Sequence, residues 1–232
     1  MNSNKTGVSM FVIFVAGNQP ETVELCLKNG GYNVDERDYV NNERTPLMTA
    51  AWKGYAEVVR ILLRYGANVN LTDDLGRTAL MHSCMEGFYE VAEELLKSGA
   101  SVNTQSDKGS TALSVASANG HTKIVSLLID RGAALDLCNN RSRTALYIAV
   151  LNNRLECVIE LLKRGADVNC QADVGDTVLM EAAVRGDVDL VDLLLDYGAD
   201  TTKVMNNGVT AEIAARYKGH NEIVEMLSAD ED

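Results

Sequence analysis

The hydrophobic and polar positions of this chain recur with a fixed period of 33 residues. The recurring threonines are Thr45, Thr78, Thr111, Thr144, Thr177 and Thr210. A leucine lies two residues after each of the first five, and a glycine lies nine residues after every threonine except Thr144, where asparagine replaces it. A second apolar stretch and a Gly-Ala step follow in each of the first five units. Such self-similarity at a fixed spacing predicts a repeat architecture.

Each repeat is predicted to contain two short helices and a loop. The threonine hydroxyl can cap the first helix by accepting an early backbone N–H, and the glycine can end that helix in a left-handed conformation. The second helix carries one apolar stripe, as at Val58, Ile61 and Leu62. The polar segment 68–76 is rich in turn residues and predicts a projecting hairpin-like loop. Since one unit cannot bury both of its helices alone, the units must stack around a shared core.

The chain resembles ankyrin-repeat proteins over about residues 8–228. The resemblance rests on the 33-residue period, on the sequence TPLMTA at residues 45–50 and on GANVN at residues 66–70. It implies an all-α ankyrin-repeat solenoid of stacked helix-turn-helix units with projecting hairpin loops, present as a monomer. We predict a disordered N-terminus at 1–7, a single repeat domain at 8–228 and an acidic tail at 229–232, with units at about 8–43, 44–76, 77–109, 110–142, 143–175, 176–208 and 209–228.

The apolar run at residues 10–16 has two interpretations. It could be the core of a short secretory segment. Alternatively, residues 18–30 align with 54–66, and the run is then the first helix of an N-terminal capping repeat. We favour the capping repeat, whose loop is three residues longer than that of the next unit.

One feature of the family is missing throughout. Ankyrin repeats usually have histidine three residues after the threonine, where it bonds to the adjoining loop. This chain has other residues there, and we expect apolar packing to replace those hydrogen bonds. The residues at this position are Met48, Met81, Ser114, Tyr147, Met180 and Ile213.

Composition and charge exclude several classes of function. A net charge of -12 and a pI of about 4.7 argue against a nucleic-acid binder and against docking on anionic lipid. No apolar run approaches the roughly 20 residues that span a bilayer, so no membrane insertion is expected. The five cysteines form no CxxC pair and are expected to be free thiols in a reducing compartment, the cytoplasm or also the nucleus.

No catalytic, cofactor or metal motif is present in the sequence. His82 and Cys84 lie about 200° apart on a helix and cannot form a dyad. The acidic residues Asp187, Asp189 and Asp192 do not converge on a helix, and a solvated face explains them better than a metal site. We therefore predict a chain that is not an enzyme and that needs neither cofactor nor metal.

The remaining hypothesis is that the chain binds a protein or peptide. Positions that vary from unit to unit are free of packing constraints, and in this family they face the concave groove. Trp52, the single tryptophan, is either an interface anchor or half-buried against its neighbour. The candidate partner-binding residues are Arg44, Trp52, Lys53, Leu75, Arg77, Met85, Glu86, Lys108, Asn119, Arg141, Arg143, Leu151, Asn152 and Arg185.

Charge is distributed unevenly along the chain. Residues 176–232 contain 13 acidic and 4 basic residues, whereas residues 1–175 contain 20 and 17. A groove whose basic residues lie in the earlier units would suit a partner with acidic and apolar groups. The alternative is that these arginines only keep the surface solvated.

A second hypothesis is a regulatory or inhibitory subunit of an enzyme, or an enzyme substrate. Leu161 followed by Asp167-Val168-Asn169 resembles the target of an asparaginyl hydroxylase that modifies ankyrin repeats. Asn169 is therefore a candidate modification site.

Overall fold

The computed structural model describes residues 9–228, which form α-helices and, apart from two isolated bridges, no β-structure. The predicted N-terminal segment 1–7 and acidic tail 229–232 lie outside the described residues. The helices are α1 Met10–Ala16, α2 Pro20–Lys28, α3 Pro46–Lys53, α4 Ala56–Arg64, α5 Ala79–Glu86, α6 Tyr89–Lys97, α7 Ala112–Asn119, α8 Thr122–Asp130, α9 Ala145–Leu151, α10 Leu155–Lys163, α11 Val178–Arg185, α12 Val188–Asp196, α13 Ala211–Lys218 and α14 Asn221–Ser228.

The described residues divide into two compact units, the first ending at Ala133 and the second starting at Ala134. In the first unit, the first helices of the repeats (α1, α3, α5 and α7) pack side by side, and the second helices (α2, α4, α6 and α8) form another layer. In the second unit, α9, α11 and α13 pack in the same way, and each contacts the second helix of its own repeat. The predicted all-α repeat architecture is confirmed.

The threonines cap the first helices as predicted. Each of the six side chains accepts from the backbone N–H three residues later, at 3.1–3.3 Å. At the other end of α3, Gly54 has a φ of 75°, and a Cβ atom there would lie 2.6 Å from the Phe88 ring. Glycine is therefore required at this position by backbone conformation and by the close approach of the next repeat. Asn153 takes the same left-handed conformation, with a φ of 55°.

The leucines two residues after the threonines form the centre of the core, since each is at most 1% exposed. The apolar run near the N-terminus also packs as predicted: Phe11, Val12 and Val15 are buried on α1, which contacts α3. No helix among residues 9–228 has the length and apolar character needed to cross a membrane.

The position that usually holds histidine is filled in several ways. Met48 and Met81 are buried, as the expected apolar packing requires. The expectation is wrong at three other repeats: Ile213 is 44% exposed, and polar bonds are made at Ser114 and Tyr147. Ser114 Oγ accepts from the Thr111 N–H at 3.0 Å, and the Tyr147 hydroxyl donates to Asp176 in the next loop. A polar contact to a loop therefore persists without histidine at this position.

Leu128 on α8 provides a test of the packing. Its side chain is fully buried, so Leu128→Ala should lower the free energy of unfolding by about 2–5 kcal/mol through loss of burial and formation of a cavity. Urea denaturation followed by circular dichroism measures the change. The control is Lys123→Ala on the exposed side of the same helix, expected to cost less than about 0.5 kcal/mol. Equal effects of the two substitutions would contradict the packing.

Candidate functional site

The candidate residues occupy recurring positions of the repeat that differ in exposure. The residue eight after the threonine is exposed in every repeat: Lys53, Glu86, Asn119, Asn152, Arg185 and Lys218. The residues at the loop tips are also exposed: Asp74, Leu75, Asp107, Lys108, Asn140, Arg141, Asp173, Val174, Asn206 and Asn207. The residue before the threonine is half-buried throughout: Arg44, Arg77, Ser110, Arg143, Asp176 and Val209. The loop tips and the ends of the first helices therefore provide most of the exposed candidate residues.

In the first unit, a cluster forms around Trp52 at the end of α3. The half-buried indole donates its Nε1–H to Glu86 Oε1 at 3.0 Å. The guanidinium carbon of Arg44 lies 4.8 Å from the ring centroid, and Lys53 Nζ lies 4.6 Å from it. At these distances both cations are attracted to the aromatic ring. Trp52 is thus packed against its own chain and holds two cations, while its role as an interface anchor stays a prediction.

A cavity of about 460 Å³ adjoins this cluster. Its volume lies within the range of about 300–1,000 Å³ that is typical of ligand pockets. Helix α1 contributes an apolar wall, and the loop before α3 contributes polar groups. The lining residues are Val12, Ile13, Ala16, Gly17, Asp38, Asn41, Arg44, Thr49, Trp52 and Lys53.

A buried ion-pair cluster joins the second loop to α5. Asp73 Oδ2 accepts from Arg77 Nε and Nη2 at 2.9 Å each and lies 3.0 Å from His82 Nε2. Its Oδ1 accepts from the backbone N–H groups of Leu75 and Arg77. Burial opposes ionisation, but the hydrogen bonds from His82 and the backbone, together with the charge of Arg77, hold the pKa of Asp73 well below its usual range.

His82 is held as a neutral ring by this cluster. Since the Asp73 carboxylate can only accept, Nε2 of His82 carries the hydrogen. The other ring nitrogen, Nδ1, is buried and has no hydrogen-bond partner among the described residues. Burial lowers the pKa of His82, and the charges of Arg44 and Arg77 act in the same direction, against the opposing effect of Asp73.

The cluster shows that Arg77 is not a free surface cation. Its guanidinium neutralises a buried carboxylate, and removing one partner of such a pair costs about 3–5 kcal/mol in other proteins. Sequence reasoning placed Arg77 correctly in the repeat but missed Asp73 and His82. The repeat comparison carried no signal for them, because the bond between Asp73 and His82 occurs in one repeat only.

Other candidate residues of the first unit make local bonds. The Met85 carbonyl lies 3.2 Å from His121 Nε2, and the Asn119 side chain donates to the Val115 carbonyl at 2.9 Å. Leu75, by contrast, has a side chain directed to solvent and is 41% exposed, and Lys108 is also exposed.

In the second unit, two candidate residues, Arg185 and Asn152, bond to neighbouring backbone carbonyls. Arg185 donates to the carbonyls of Val150 at 2.8 Å and Leu151 at 2.7 Å, and it pairs with Glu181 at 2.7 Å. The Asn152 side chain donates to the Ile148 carbonyl at 2.8 Å.

The two remaining candidates of this unit are arginines of its first loop. The guanidinium of Arg143 lies 5.0 Å from the centroid of the buried Tyr147 ring, and Arg141 is exposed. The Arg185 side chain is therefore bonded within the chain, whereas the Arg141 side chain is exposed.

The Asn169 side chain links its own loop to the loop of the next repeat by two hydrogen bonds. Its Nδ2 donates to the Gly198 carbonyl at 3.0 Å, and its Oδ1 accepts from the Asp200 N–H at 2.7 Å. Asn70 bridges Gly99 and Ser101 in the same way. The candidate modification site is thus a half-buried structural amide in the folded chain.

The thiols and carboxylates of the described residues form no group of three or more that could hold a metal ion. Burial raises the pKa of Cys84 to about 12, which keeps this thiol protonated. Asp187, one of the acidic residues considered above, caps α12 by accepting the Leu190 N–H at 3.1 Å.

Comparison with known proteins agrees with this architecture. A sequence model of the family described as "Ankyrin repeats (3 copies)" matches residues 9–106, 98–172 and 161–232. The chain therefore belongs to the ankyrin-repeat family, whose repeats are protein–protein interaction modules. Among solved structures, the ankyrin repeat domain of Bcl-3, described as a unique member of the IkappaB protein family, is similar, with a TM-score of 0.85 and 31% identity over 94% of this chain and 99% of that chain.

Two curated proteins are similar over short segments. The probable palmitoyltransferase AKR2 of Saccharomyces uvarum is 48% identical over 48 residues, which are 21% of this chain and 6% of that protein. The glycerophosphocholine phosphodiesterase gde1 of Schizosaccharomyces pombe is 44% identical over 59 residues, 25% of this chain and 5% of that protein. This chain spans only a small part of the length of these relatives.

The buried His82 predicts a pH dependence of stability. Because its pKa is lower in the folded chain than the value of about 6.5 in an unfolded chain, the unfolded state binds more protons as the pH falls through about 6.5. Between pH 7.5 and 5.5 the native chain should therefore lose about 1 kcal/mol more stability than His82→Gln, whose amide can still donate to Asp73. Parallel urea titrations at the two pH values measure this difference. Identical pH dependence of the two proteins would contradict a buried neutral histidine.

Proposed function

We propose that this chain is a non-catalytic adaptor that binds a partner protein or peptide, as a monomer, through the loop tips and the ends of its first helices. The observation that carries the proposal is the exposure pattern. Positions that recur in sequence, such as Leu47 and Leu80, are buried, whereas the loop tips and the eighth residue after the threonine are exposed in every repeat and differ chemically. Residues that packing leaves free and that lie side by side on stacked repeats suit recognition of a partner.

Membership of the ankyrin-repeat family supports protein binding in general. The similarity to the Bcl-3 ankyrin domain also supports a regulatory adaptor over an enzyme. The matches to a palmitoyltransferase and a phosphodiesterase cover 6% and 5% of those proteins and support no catalytic role here. A cytoplasmic or nuclear location remains part of the proposal.

A paired-variant capture experiment tests which face binds. The loop-tip variant combines Leu75→Asp with Lys108→Glu, two exposed residues of the first unit. The control combines Tyr89→Asp with Lys123→Glu on the second helices, where Tyr89 is 42% exposed and the change in charge is the same. The loop-tip variant should no longer retain the proteins that the native chain captures, because its binding free energy should weaken by about 2 kcal/mol or more. The control should still retain them.

Equal melting temperatures of the three chains establish that binding, not folding, has changed. Loss of the partner by the control alone would place the binding face on the second helices. Equal retention by both variants would show that the loop tips of the first unit do not bind the partner.

A second proposed role is that of an enzyme-regulated or enzyme-regulating subunit with Asn169 as a hydroxylation site. Its support is the match of Leu161 and Asp167-Val168-Asn169 to the hydroxylase target pattern. Since the Asn169 amide bridges Gly198 and Asp200, the loop must open before an enzyme can reach it.

This role predicts that Asn169 gains the mass of one oxygen atom when the chain is produced in eukaryotic cells. Peptide mass spectrometry measures it, with Asn169→Gln as the variant expected to lose the added mass at this position. An unmodified Asn169 in cells whose other ankyrin proteins are hydroxylated would contradict this role.

A further inference from the structure

The cavity beside Trp52 carries two cations, Arg44 and Lys53, that form no direct ion pair within the described residues. Among the residues the structure describes, neither Arg44 nor Lys53 forms an ion pair with a carboxylate, and each lies instead over the Trp52 ring. The Nε of Arg44 is buried and has no hydrogen-bond partner within residues 9–228. A partly desolvated cation without a direct ion pair gains from an anion that a ligand supplies.

The aspartates nearest to Arg44 make their hydrogen bonds to other groups, although their charges still act on Arg44. Asp38 lines the cavity, but its oxygens accept from the Val40 and Asn41 N–H groups and from the Asn41 side chain. Asp73 is held by Arg77 and His82, as described above, and Asp74 accepts from the Asn42 side chain at 3.2 Å. Burial lowers the pKa of Arg44 and the charge of Arg77 lowers it further, against the opposing effect of the Asp73, Asp74 and Asp38 carboxylates.

Trp52 fixes the geometry of the two cations. Its indole is anchored by the hydrogen bond to Glu86, so that the ring has a defined orientation at the cavity wall. Arg44 and Lys53 are attracted to that ring and need little reorganisation to bind an anion between them. A planar guanidinium also matches the geometry of a carboxylate.

The opposite wall of the cavity is apolar. Val12, Ile13 and Ala16 of α1 contribute it, and Ile13 is 47% exposed on a helix whose other face is buried. The cavity thus places an apolar surface beside a pair of cations. A linear peptide with neighbouring apolar and acidic side chains complements both parts.

We infer that this cavity binds an acidic linear segment of the partner protein, with a carboxylate seated between Arg44 and Lys53 and an adjoining apolar side chain against α1. The inference rests on the proposed function, because it names the partner chemistry at one end of the binding face. A protein segment is favoured over a nucleic acid, since the net charge of -12 repels polyanions.

The experiment uses the full chain and random peptides displayed on phage, followed by titration of the selected peptides. Trp52 is the only tryptophan, so its fluorescence reports binding at this cavity when the peptides themselves contain none. The selected sequences should carry Asp or Glu next to Leu, Ile, Val or Phe and should shift the Trp52 emission. Their affinity should fall as salt is added.

Charge-matched variants locate the site. Arg44→Gln with Lys53→Gln should weaken the selected peptides at least about tenfold, and Lys53→Gln alone, at an exposed position, should weaken them less. Lys97→Gln with Lys123→Gln removes the same charge from the second helices and should leave the affinity unchanged.

Several results would overturn the inference. They are a failure to select any peptide, selected peptides without carboxylates, peptides whose affinity is the same for the Arg44 and Lys53 variants, and displacement by inorganic phosphate alone, which would indicate a general anion site. None of these results bears on the capture experiment with Leu75 and Lys108, which decides the proposed function independently.

Discussion

The fold depends on one constraint, that no repeat can bury its own helices. The longest helices of the described residues have nine residues, which is shorter than the roughly 12–15 at which an isolated helix becomes stable in water. Each helix therefore persists because neighbours on either side cover it. This requirement explains the invariant leucines and small residues of the first helices and the glycine at Gly54, where the ring of Phe88 approaches the backbone. It also explains why the remaining positions are free to vary.

A second set of contacts positions the loops. The side chain of Asp35 accepts from the Asn68 N–H, and Asn70 and Asn169 each bridge to the loop of the next repeat. These bonds join residues about one repeat apart within each compact unit, so each loop is placed by the loop beside it. The exposed tips that we propose as the binding face are consequently held by backbone and amide hydrogen bonds and do not depend on the partner for their order.

The sequence predicted what repeats and could not predict what occurs once. The capping role of Thr45 and its counterparts could be predicted because the threonine recurs six times at the same position of the repeat. The bond between Asp73 and His82 occurs in one repeat only and joins a loop to a helix nine residues later, so no period reveals it. Arg77 was predicted to bind a partner from its position in the repeat alone. Position cannot show that its guanidinium is paired with the buried carboxylate of Asp73. The role of Trp52 could not be decided from its position either. Its half-buried ring packs against its own chain and also lines the cavity.

The position before the threonine shows how one place in a repeat can acquire different roles. Arg77 neutralises Asp73 and is part of the fold. Arg143 lies over Tyr147, a buried ring whose hydroxyl is bonded to Asp176. Arg44 lies over Trp52, which is only half-buried, and beside a second cation and an open cavity. The backbone position is the same in all three cases, and the neighbouring side chains determine whether the charge is satisfied internally. Arg44 and Arg143 both have a buried Nε without a hydrogen-bond partner among the described residues, and Arg44 lines the cavity beside Trp52. Recognition is thus expected at Arg44, where a cation without a direct ion pair adjoins that cavity.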